Sequence, residues 1–479
     1  MNKKLKLSLF TAVYSTLFLV CLYKNTFGAM YPLLVVGTVM YIGFSMKAAG
    51  QKLNFDAYGI SLVAFAFLLG VAHIFTANLF IHFFNGIGIF LAMFLLSTHV
   101  FNEDKEWAFL QNVKNLFTHV SGAFSHFTYI FKDFKKGLKE STPEGEKPRK
   151  SAVIKILLTV IATIPAFMII LFLLSFADPV FAQVTKKILD SFILGDWFII
   201  PILFVMIGCF SYGIIRRALT KPLSKEREDG KNIDSVIAIT ISVMFDVIYV
   251  MFSMIQIVYL FIGGGTLPEG YTYAEYAREG FGQLLAVAIF NFIIIILGNT
   301  LFRKNVILKV TQTVMSVCTY IMIVSSVMRL ILYIRYYYFT FLRVLAFWGL
   351  ITLAILFVGV MVQIWSDKFN MFKYLVISTF ACYVVLAFSR CDYFIAKANL
   401  SQASVKNSFF LTDNNYNDSD YFWDLSYDAL PVILEDETLV DENSYHFESI
   451  KRELDNKEIG IRSYNYSLSQ AKKLMKHYN

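Results

Sequence analysis

The sequence predicts an all-α polytopic membrane bundle of about eleven transmembrane helices, with a cytoplasmic amphipathic helix and a small external helical tail. Three observations predict this fold. Apolar residues make up 57% of the 479 residues and charged residues only 16%, whereas soluble domains carry about 25% charged residues. Apolar runs of about 20 residues, the length that crosses a bilayer, recur along the chain. Lysine and arginine collect in alternate connections between these runs.

Eleven apolar runs are long enough to cross a membrane. They lie at about 6–23, 27–46, 57–75, 77–99, 152–176, 197–217, 235–262, 281–302, 306–333, 340–365 and 372–389. The third and fourth runs require a turn around His73–Asn78. The first run has the basic start of a signal peptide but no small-residue cleavage site, so we interpret it as an uncleaved span.

The distribution of positive charge predicts the orientation. Basic residues are concentrated at the N-terminus, in 46–56, 100–151 and 216–234, and around Arg303 and Lys368. All these segments fall on one side of an eleven-span path, and such residues mark the cytoplasmic side. We therefore expect a cytoplasmic N-terminus and an external tail. From Asp392 onward that tail holds nine Lys or Arg and fifteen Asp or Glu.

Four parts follow from this organisation: N-terminal spans (1–99), a basic amphipathic helix and linker (100–151), C-terminal membrane core (152–389) and acidic external tail (390–479). In the second part, apolar residues recur every three or four positions from Trp107 to Leu138, which predicts one helix that can break at Gly122. Because many of them are phenylalanine, we expect this helix to lie at the membrane surface and contact anionic lipid.

The tail is predicted to form a small helical cap that rests on the membrane body and offers a site for a protein partner. Two stretches, DYFWDLSYDALPVILE and RSYNYSLSQAKKLMKHY, have apolar and aromatic residues at helical spacing. Pro431 lies early in the first helix or interrupts it.

The stretch YTYAEYAREGF (271–281) places charge beside an apolar run. Thr272 and Glu275 have the spacing of a capping box, which predicts a helix that begins at Tyr273 and continues into the 281–302 span. Capping explains Glu275 without any chemistry. It does not explain Arg278, Glu279 or the tyrosines.

Other charged and aromatic residues are expected at the same outer level of the membrane, so that Glu275 or Glu279 can pair with an arginine from the ninth or tenth span. The candidate outer polar cluster comprises Tyr273, Glu275, Tyr276, Arg278, Glu279, Arg329, Tyr333 and Arg343. The alternative interpretation is an aromatic belt with arginines that reach the interface.

Three polar residues inside predicted spans are candidates for a midplane site. Asp246 is ~15 Å from the start of its span, near the bilayer centre, and Asn291 is at about the same depth. Gln256 lies further along the span that contains Asp246. An ionisable residue at that depth indicates a functional site by default. The alternative is that a protonated Asp246 forms hydrogen bonds between helices.

Motifs for metal or catalytic sites are lacking. The sequence contains no HExxH, GxSxG or P-loop pattern, and DNNYNDSDYFWD lacks the glycine of a calcium loop. We therefore predict no metal, cofactor or catalytic residue. No stripe of lysine and arginine interleaved with aromatics indicates a nucleic-acid partner.

The segment FSMIQIVYLFIGGGTLPEGYTYAEYAREGF, followed by SVMRLILYIRYYYFTFLRV, CDYFIAKANL and DSDYFWDLSYDALPVIL, resembles a bacterial multi-pass family known as a domain of unknown function (four-one-seven-three, related to four-one-five-three). The resemblance covers about 150–479. Matching positions are Gln256, Tyr259, Thr272, Tyr273, Glu275, Tyr276, Arg278, Gly280, Phe281, Arg329, Tyr333, Thr340 and Arg343. The chain departs at Arg335, where an acidic residue is commoner, and at Tyr338, where glycine is expected.

This resemblance implies a bacterial cytoplasmic membrane protein and supplies no activity, substrate or cofactor. We favour non-enzymatic sensing or scaffolding at the outer face, because catalytic motifs are lacking and the tail has the pattern of a folded unit. One alternative is a transporter or lipid flippase that uses Asp246 and Asn291. A second is an enzyme that acts on lipid-linked substrates.

Overall fold

The structure is a computed structural model. It describes the chain apart from 142–166, 224–232, 259–272 and 407–417 and shorter gaps at 1–2, 26–27, 51–54, 103, 105–106, 168–169, 171–173, 192–195, 221–222, 437–438, 441–443 and 478–479. Its helices, in chain order, are α1 (Lys3–Leu22), α2 (Met30–Ala49), α3 (Ala57–Phe75), α4 (Leu79–Phe101), α5 (Phe109–Ser125), α6 (Tyr129–Ser141), α7 (Pro179–Ser191), α8 (Asp196–Thr220), α9 (Ser235–Gln256), α10 (Tyr273–Leu301), α11 (Val306–Tyr337), α12 (Phe341–Trp365), α13 (Met371–Phe388), α14 (Cys391–Lys406), α15 (Asp418–Trp423), α16 (Leu430–Ile433), α17 (Ser444–Asn456) and α18 (Tyr466–His477).

The predicted fold class is confirmed. Ten of the described helices, α1–α4 and α8–α13, are long and apolar enough to cross a membrane, and each corresponds to a predicted span. The remaining predicted span, the fifth in chain order at 152–176, lies largely outside the described residues. The chain is therefore a multi-pass membrane protein whose apolar helices contact a lipid bilayer.

Short connections with side-chain caps separate many of the spans. The Oδ1 atoms of Asp56, Asn78, Asn305 and Asn370 accept hydrogen bonds from backbone N–H groups in the first turn of α3, α4, α11 and α13, at 2.8–3.1 Å. Each cap satisfies a backbone donor that would otherwise lack a partner at the helix start. The predicted turn between the third and fourth spans is confirmed by Asn78.

The spans pack around two buried clusters. Helices α1–α4 share the first with α8 and α13, and Leu69 and Ile215 lie in it. Helices α9–α12 share the second, around Ile295 and Phe357. Close van der Waals packing holds such helices together in lipid. A third cluster, around Phe422, belongs to the tail.

The amphipathic segment differs from its prediction. It forms two helices, α5 and α6, and the break falls at 126–128 rather than at Gly122. Gly122 remains helical, and its missing Cβ leaves room for the side chain of Arg217. The buried residues of α5 are mostly polar, whereas Phe117 and Phe124 are exposed.

Helix α6 is joined to the bundle by a buried carboxylate. Asp133 lies 3.1 Å from Lys4 Nζ on α1 and 2.9 Å from Arg216 Nε on α8. It also accepts a hydrogen bond from Tyr212 Oη at 2.9 Å. The basic N-terminus and the basic start of the 216–234 connection therefore meet at one point.

The bundle has a basic end and a tail end. At the basic end, Lys373 Nζ lies 2.9 Å from Asp104, and the backbone of Leu223 donates to Asn102. At the tail end, Asn25 donates to the carbonyl of Arg462. We refer to the described tail residues from Cys391 to His477 as the cap.

Candidate functional site

The stretch YTYAEYAREGF contains the start of a helix. Helix α10 begins at Tyr273 and continues into the span, which confirms the predicted helix start. Thr272 and the side chains of 273–279 lie outside the described residues. The predicted pairing of Glu275 or Glu279 with an arginine therefore stays a prediction.

Arg329 connects three spans at this level. Its Nη2 donates to Gln256 Oε1 at 3.2 Å, and Ser325 Oγ donates to the same oxygen at 2.6 Å. Arg329 is buried. A Cβ on Gly280 would overlap its guanidinium, so the glycine of the motif makes room for an arginine that joins α9, α10 and α11.

The aromatic part of the predicted cluster forms a second group. Phe281 stacks on Tyr333, with ring centroids 6.4 Å apart, and the guanidinium of Arg343 lies 4.1 Å from the centroid of the Tyr333 ring. Arg343 also donates to the carbonyls of Tyr337 and Tyr338. A cation at a helix C-terminus stabilises these last carbonyls, so Arg343 caps α11.

At Tyr338 the chain departs from the glycine that the family resemblance predicts. Its φ is 63°, in the left-handed region that glycine adopts without cost. The glycine expected there from the family resemblance therefore has a physical reason. This chain places a tyrosine in the same turn.

The midplane residues play different parts. Asn291 is fully buried: its Oδ1 accepts from Tyr249 Oη at 2.8 Å and its Nδ2 donates to Thr319 Oγ1 at 2.9 Å. These bonds make it a link between α9, α10 and α11. Asp246 is buried, and its Oδ1 has no hydrogen-bond partner among the described residues.

A groove of about 470 Å³ borders Asp246. Its other described lining residues are apolar and all belong to α9: Val243, Val247, Val250, Met251 and Met254. A hydrophilic path would need more polar groups at this level. The groove therefore does not favour transport of a polar substrate at Asp246.

Among the described residues, a buried polar site joins the cap to the α3–α4 turn. Asp428 is fully buried. Its carboxylate accepts hydrogen bonds from Thr76 Oγ1 at 2.5 Å and from the backbone N–H of Ala77 at 3.1 Å. Burial raises the pKa of the Asp428 carboxyl, and these bonds, together with the charge of Arg390, oppose the rise.

Further cap residues bind the same turn. Asn465 Nδ2 donates to the carbonyls of His73 and Thr76, at 2.9 and 2.7 Å, and Ser467 Oγ donates to the carbonyl of Phe75 at 2.8 Å. Asp392 accepts from Asn78 Nδ2 at 2.8 Å. The cap thus satisfies the carbonyls at the end of α3, which gain no partner within their own helix.

Sequence reasoning did not find this site, because its two halves are separated by more than 300 residues. One signal was available. Asp428 lies next to the apolar run ALPVIL, and a carboxylate in such a setting requires a buried partner. His82 Nε2 donates to the Thr76 carbonyl at 2.8 Å, so the first turn of α4 also contacts this turn.

A polar cluster also lies at the basic end. His99 Nε2 is 2.8 Å from Asp56 and its Nδ1 is 2.8 Å from Asp104, which Lys373 also contacts. Partial burial tends to raise the pKa of Asp56, but the Gly59 N–H bond and His99 outweigh it and lower that pKa. This cluster connects α3, α4 and α13.

Comparison with known families gives one finding. A family model described as a domain of unknown function (DUF4153) matches residues 63–435. The matched region begins within α3 and includes all the later described spans and the first part of the cap. No curated protein and no solved structure matches the chain.

Proposed function

Since the chain belongs to the DUF4153 family of multi-pass membrane proteins, whose activity is not established, we propose a function from the built features of the chain itself. It is a non-enzymatic membrane protein that senses or scaffolds through its cap. We place it in a bacterial cytoplasmic membrane with the N-terminus inside and the cap outside, as positive charge on the basic end favours.

One observation carries this proposal: buried polar bonds hold the cap on the membrane body. Asp428, Asn465 and Asp392 are each at most 2% exposed, and all three bind the α3–α4 turn. A loosely attached tail would have no reason to bury a carboxylate. The cap is therefore positioned so that a ligand bound to it affects the spans.

The outer surface of the cap supports a binding role. Tyr445 and Ile461 are 80% and 87% exposed, although both are large apolar or aromatic residues. Tyrosine is enriched among the residues that anchor protein interfaces. The predicted protein partner at the tail remains part of this proposal.

Complementation of a strain that lacks the gene tests the proposal. We expect Asp428→Ala to lose complementation, because it releases the cap, and Asp246→Leu to retain it, because no transport step uses that carboxylate. Tyr445→Ser with Ile461→Ser should also lose it, with the fold unchanged by thermal unfolding.

The converse pattern contradicts the proposal. If Asp246→Leu abolishes complementation at normal expression and stability while Asp428→Ala retains it, the transporter interpretation replaces ours. If both cap-surface substitutions are silent, the cap is structural.

A lipid-handling role is the second candidate, and one cavity favours it. Apolar and aromatic residues of α1, α2, α4, α5 and α8, among them Phe90, Phe124 and Phe210, line a cavity of about 1280 Å³. Acyl chains fit such a lining. A photoactivatable phospholipid should crosslink here in the wild type, and Ile207→Trp should reduce the yield; equal yields would argue against this role.

A further inference from the structure

A second cavity lies at the basic end, between the start of α5, the α10–α11 connection and the α12–α13 connection. Its volume is about 540 Å³, within the range of small-molecule sites. The residues that line it include the ends of five helices that come from distant parts of the chain. We refer to it as the basic-end cavity.

Its charge is strongly positive. Five basic residues line it: Lys114, Arg303, Lys304, Lys309 and Lys368. The acidic residue Asp367 also lines it and forms an ion pair with Lys304. Positive charge gathered in a concave surface attracts an anion.

Three helix N-termini add to this potential. Helices α5, α11 and α13 begin at this cavity: Phe109, Asn305 (the N-cap of α11) and Met371 line it. Asn305 and Asn370 each accept one first-turn N–H, and the partial positive charge of the three N-termini favours phosphate groups. The three helices are each longer than two turns.

Buried amides give a second, independent indication of a ligand. Gln312 is only 2% exposed, lines the cavity, and its Oε1 has no hydrogen-bond partner among the described residues. Gln363 Oε1 and Asn299 Nδ2, which also line it, are likewise buried without a partner in the described structure. Buried polar atoms of this kind require a partner. The two oxygens match hydroxyl donors and the Asn299 amide matches an acceptor.

Gly298 leaves space for the Gln312 side chain. A Cβ at residue 298 would overlap Gln312 Nε2. The glycine therefore lets the amide of α11 pack against α10 at the cavity wall.

We propose that the basic-end cavity binds a phosphate ester that carries hydroxyl groups. The lysines, Arg303 and the helix N-termini hold the phosphate, and the amides of Gln312 and Gln363 accept from the hydroxyls. Two sources share this chemistry: the headgroup of an anionic phospholipid and a soluble phosphorylated polyol. The site is independent of the proposed role of the cap.

Binding to purified full-length protein in phosphatidylcholine nanodiscs tests the proposal in two arms. In the first, glycerol 3-phosphate and inorganic phosphate are titrated by calorimetry. In the second, native mass spectrometry counts phosphatidylglycerol retained from mixed nanodiscs. Saturable binding in the first arm identifies a soluble ligand, and selective retention only in the second identifies a lipid headgroup.

Variants locate the binding. Arg303→Gln with Lys309→Gln should weaken it about tenfold or more, because charge-assisted hydrogen bonds are lost. Gln312→Glu keeps the shape, adds a negative charge and should abolish it. The matched control is Lys47→Gln, which neutralises a basic residue outside the cavity and should have no effect.

No binding in either arm overturns the proposal, as does an equal loss in Lys47→Gln. If binding persists in Gln312→Glu with a wild-type melting temperature, the ligand site is elsewhere. Complementation assays of the cap variants do not depend on this result.

Discussion

The bond between Asp428 and the α3–α4 turn gives the most direct test of how the cap is held. In Asp428→Ala, two donors lose their acceptor: Thr76 Oγ1 and the backbone N–H of Ala77. The Thr76 hydroxyl can rotate toward another acceptor, whereas the N–H cannot. The buried N–H left without an acceptor costs about 1–3 kcal/mol, so we expect docking to weaken by about 2 kcal/mol, which is roughly 30-fold.

Hydrogen exchange measured by mass spectrometry reads this change directly. Peptides that contain Asn465 and Ser467 should exchange about 30-fold faster or more in the variant, because undocking exposes their amides. Asp424→Ala is the matched control, since Asp424 is in the same part of the cap but exposed. Exchange within threefold of the wild type in Asp428→Ala would refute the inference that this carboxylate holds the cap.

Three further predictions concern the pH dependence of cap docking, Gly280 and Tyr338. Burial raises the pKa of Asp428 above its value in the unfolded chain. Docking of the cap should therefore be strongest below the usual carboxyl pKa and weaken as the pH rises through the raised pKa. Hydrogen exchange, corrected for its intrinsic pH dependence, measures this change, and Asp428→Asn should abolish the pH dependence of docking. Gly280→Ala should destabilise the protein by about 1–3 kcal/mol in chemical unfolding, because its Cβ displaces Arg329, whereas Gly282→Ala, with open space around it, should not. Tyr338→Gly should raise the unfolding free energy by about 1 kcal/mol, because φ is 63° there, while Tyr337→Gly, inside the last turn of α11, should lower it.

The membrane spans could be predicted from the sequence because the responsible signals are local. Each span is a continuous apolar run, and each helix start with an Asp or Asn cap is encoded within four residues. The start of α10 at Tyr273 is of the same kind. The predicted break at Gly122 was wrong: this glycine makes room for Arg217, a residue from a distant span, and the local sequence does not show that contact.

The cap site could not be predicted for a related reason. Asp392, Asp428 and Asn465 carry no local pattern that shows what they bind, and their partners at 73–78 belong to a turn whose own sequence only signals a helix end. Polar residues of this kind are informative only as pairs. The same holds for Gln312 at the basic end, which is within an apolar span and gives no sign of the lysines around it.

These contacts change where function is best sought. Arg329 was predicted to belong to the outer polar cluster, but its contacts with Gln256 and Gly280 show that it links three spans. Asn291 likewise links α9, α10 and α11 through its hydrogen bonds to Tyr249 and Thr319. Substitution of either residue would disturb packing, and a loss of function could not be assigned to chemistry. The two ends of the bundle do not share this difficulty: Tyr445 and Ile461 on the cap and Arg303 at the basic-end cavity are exposed, so that their replacement changes binding with little change in the fold.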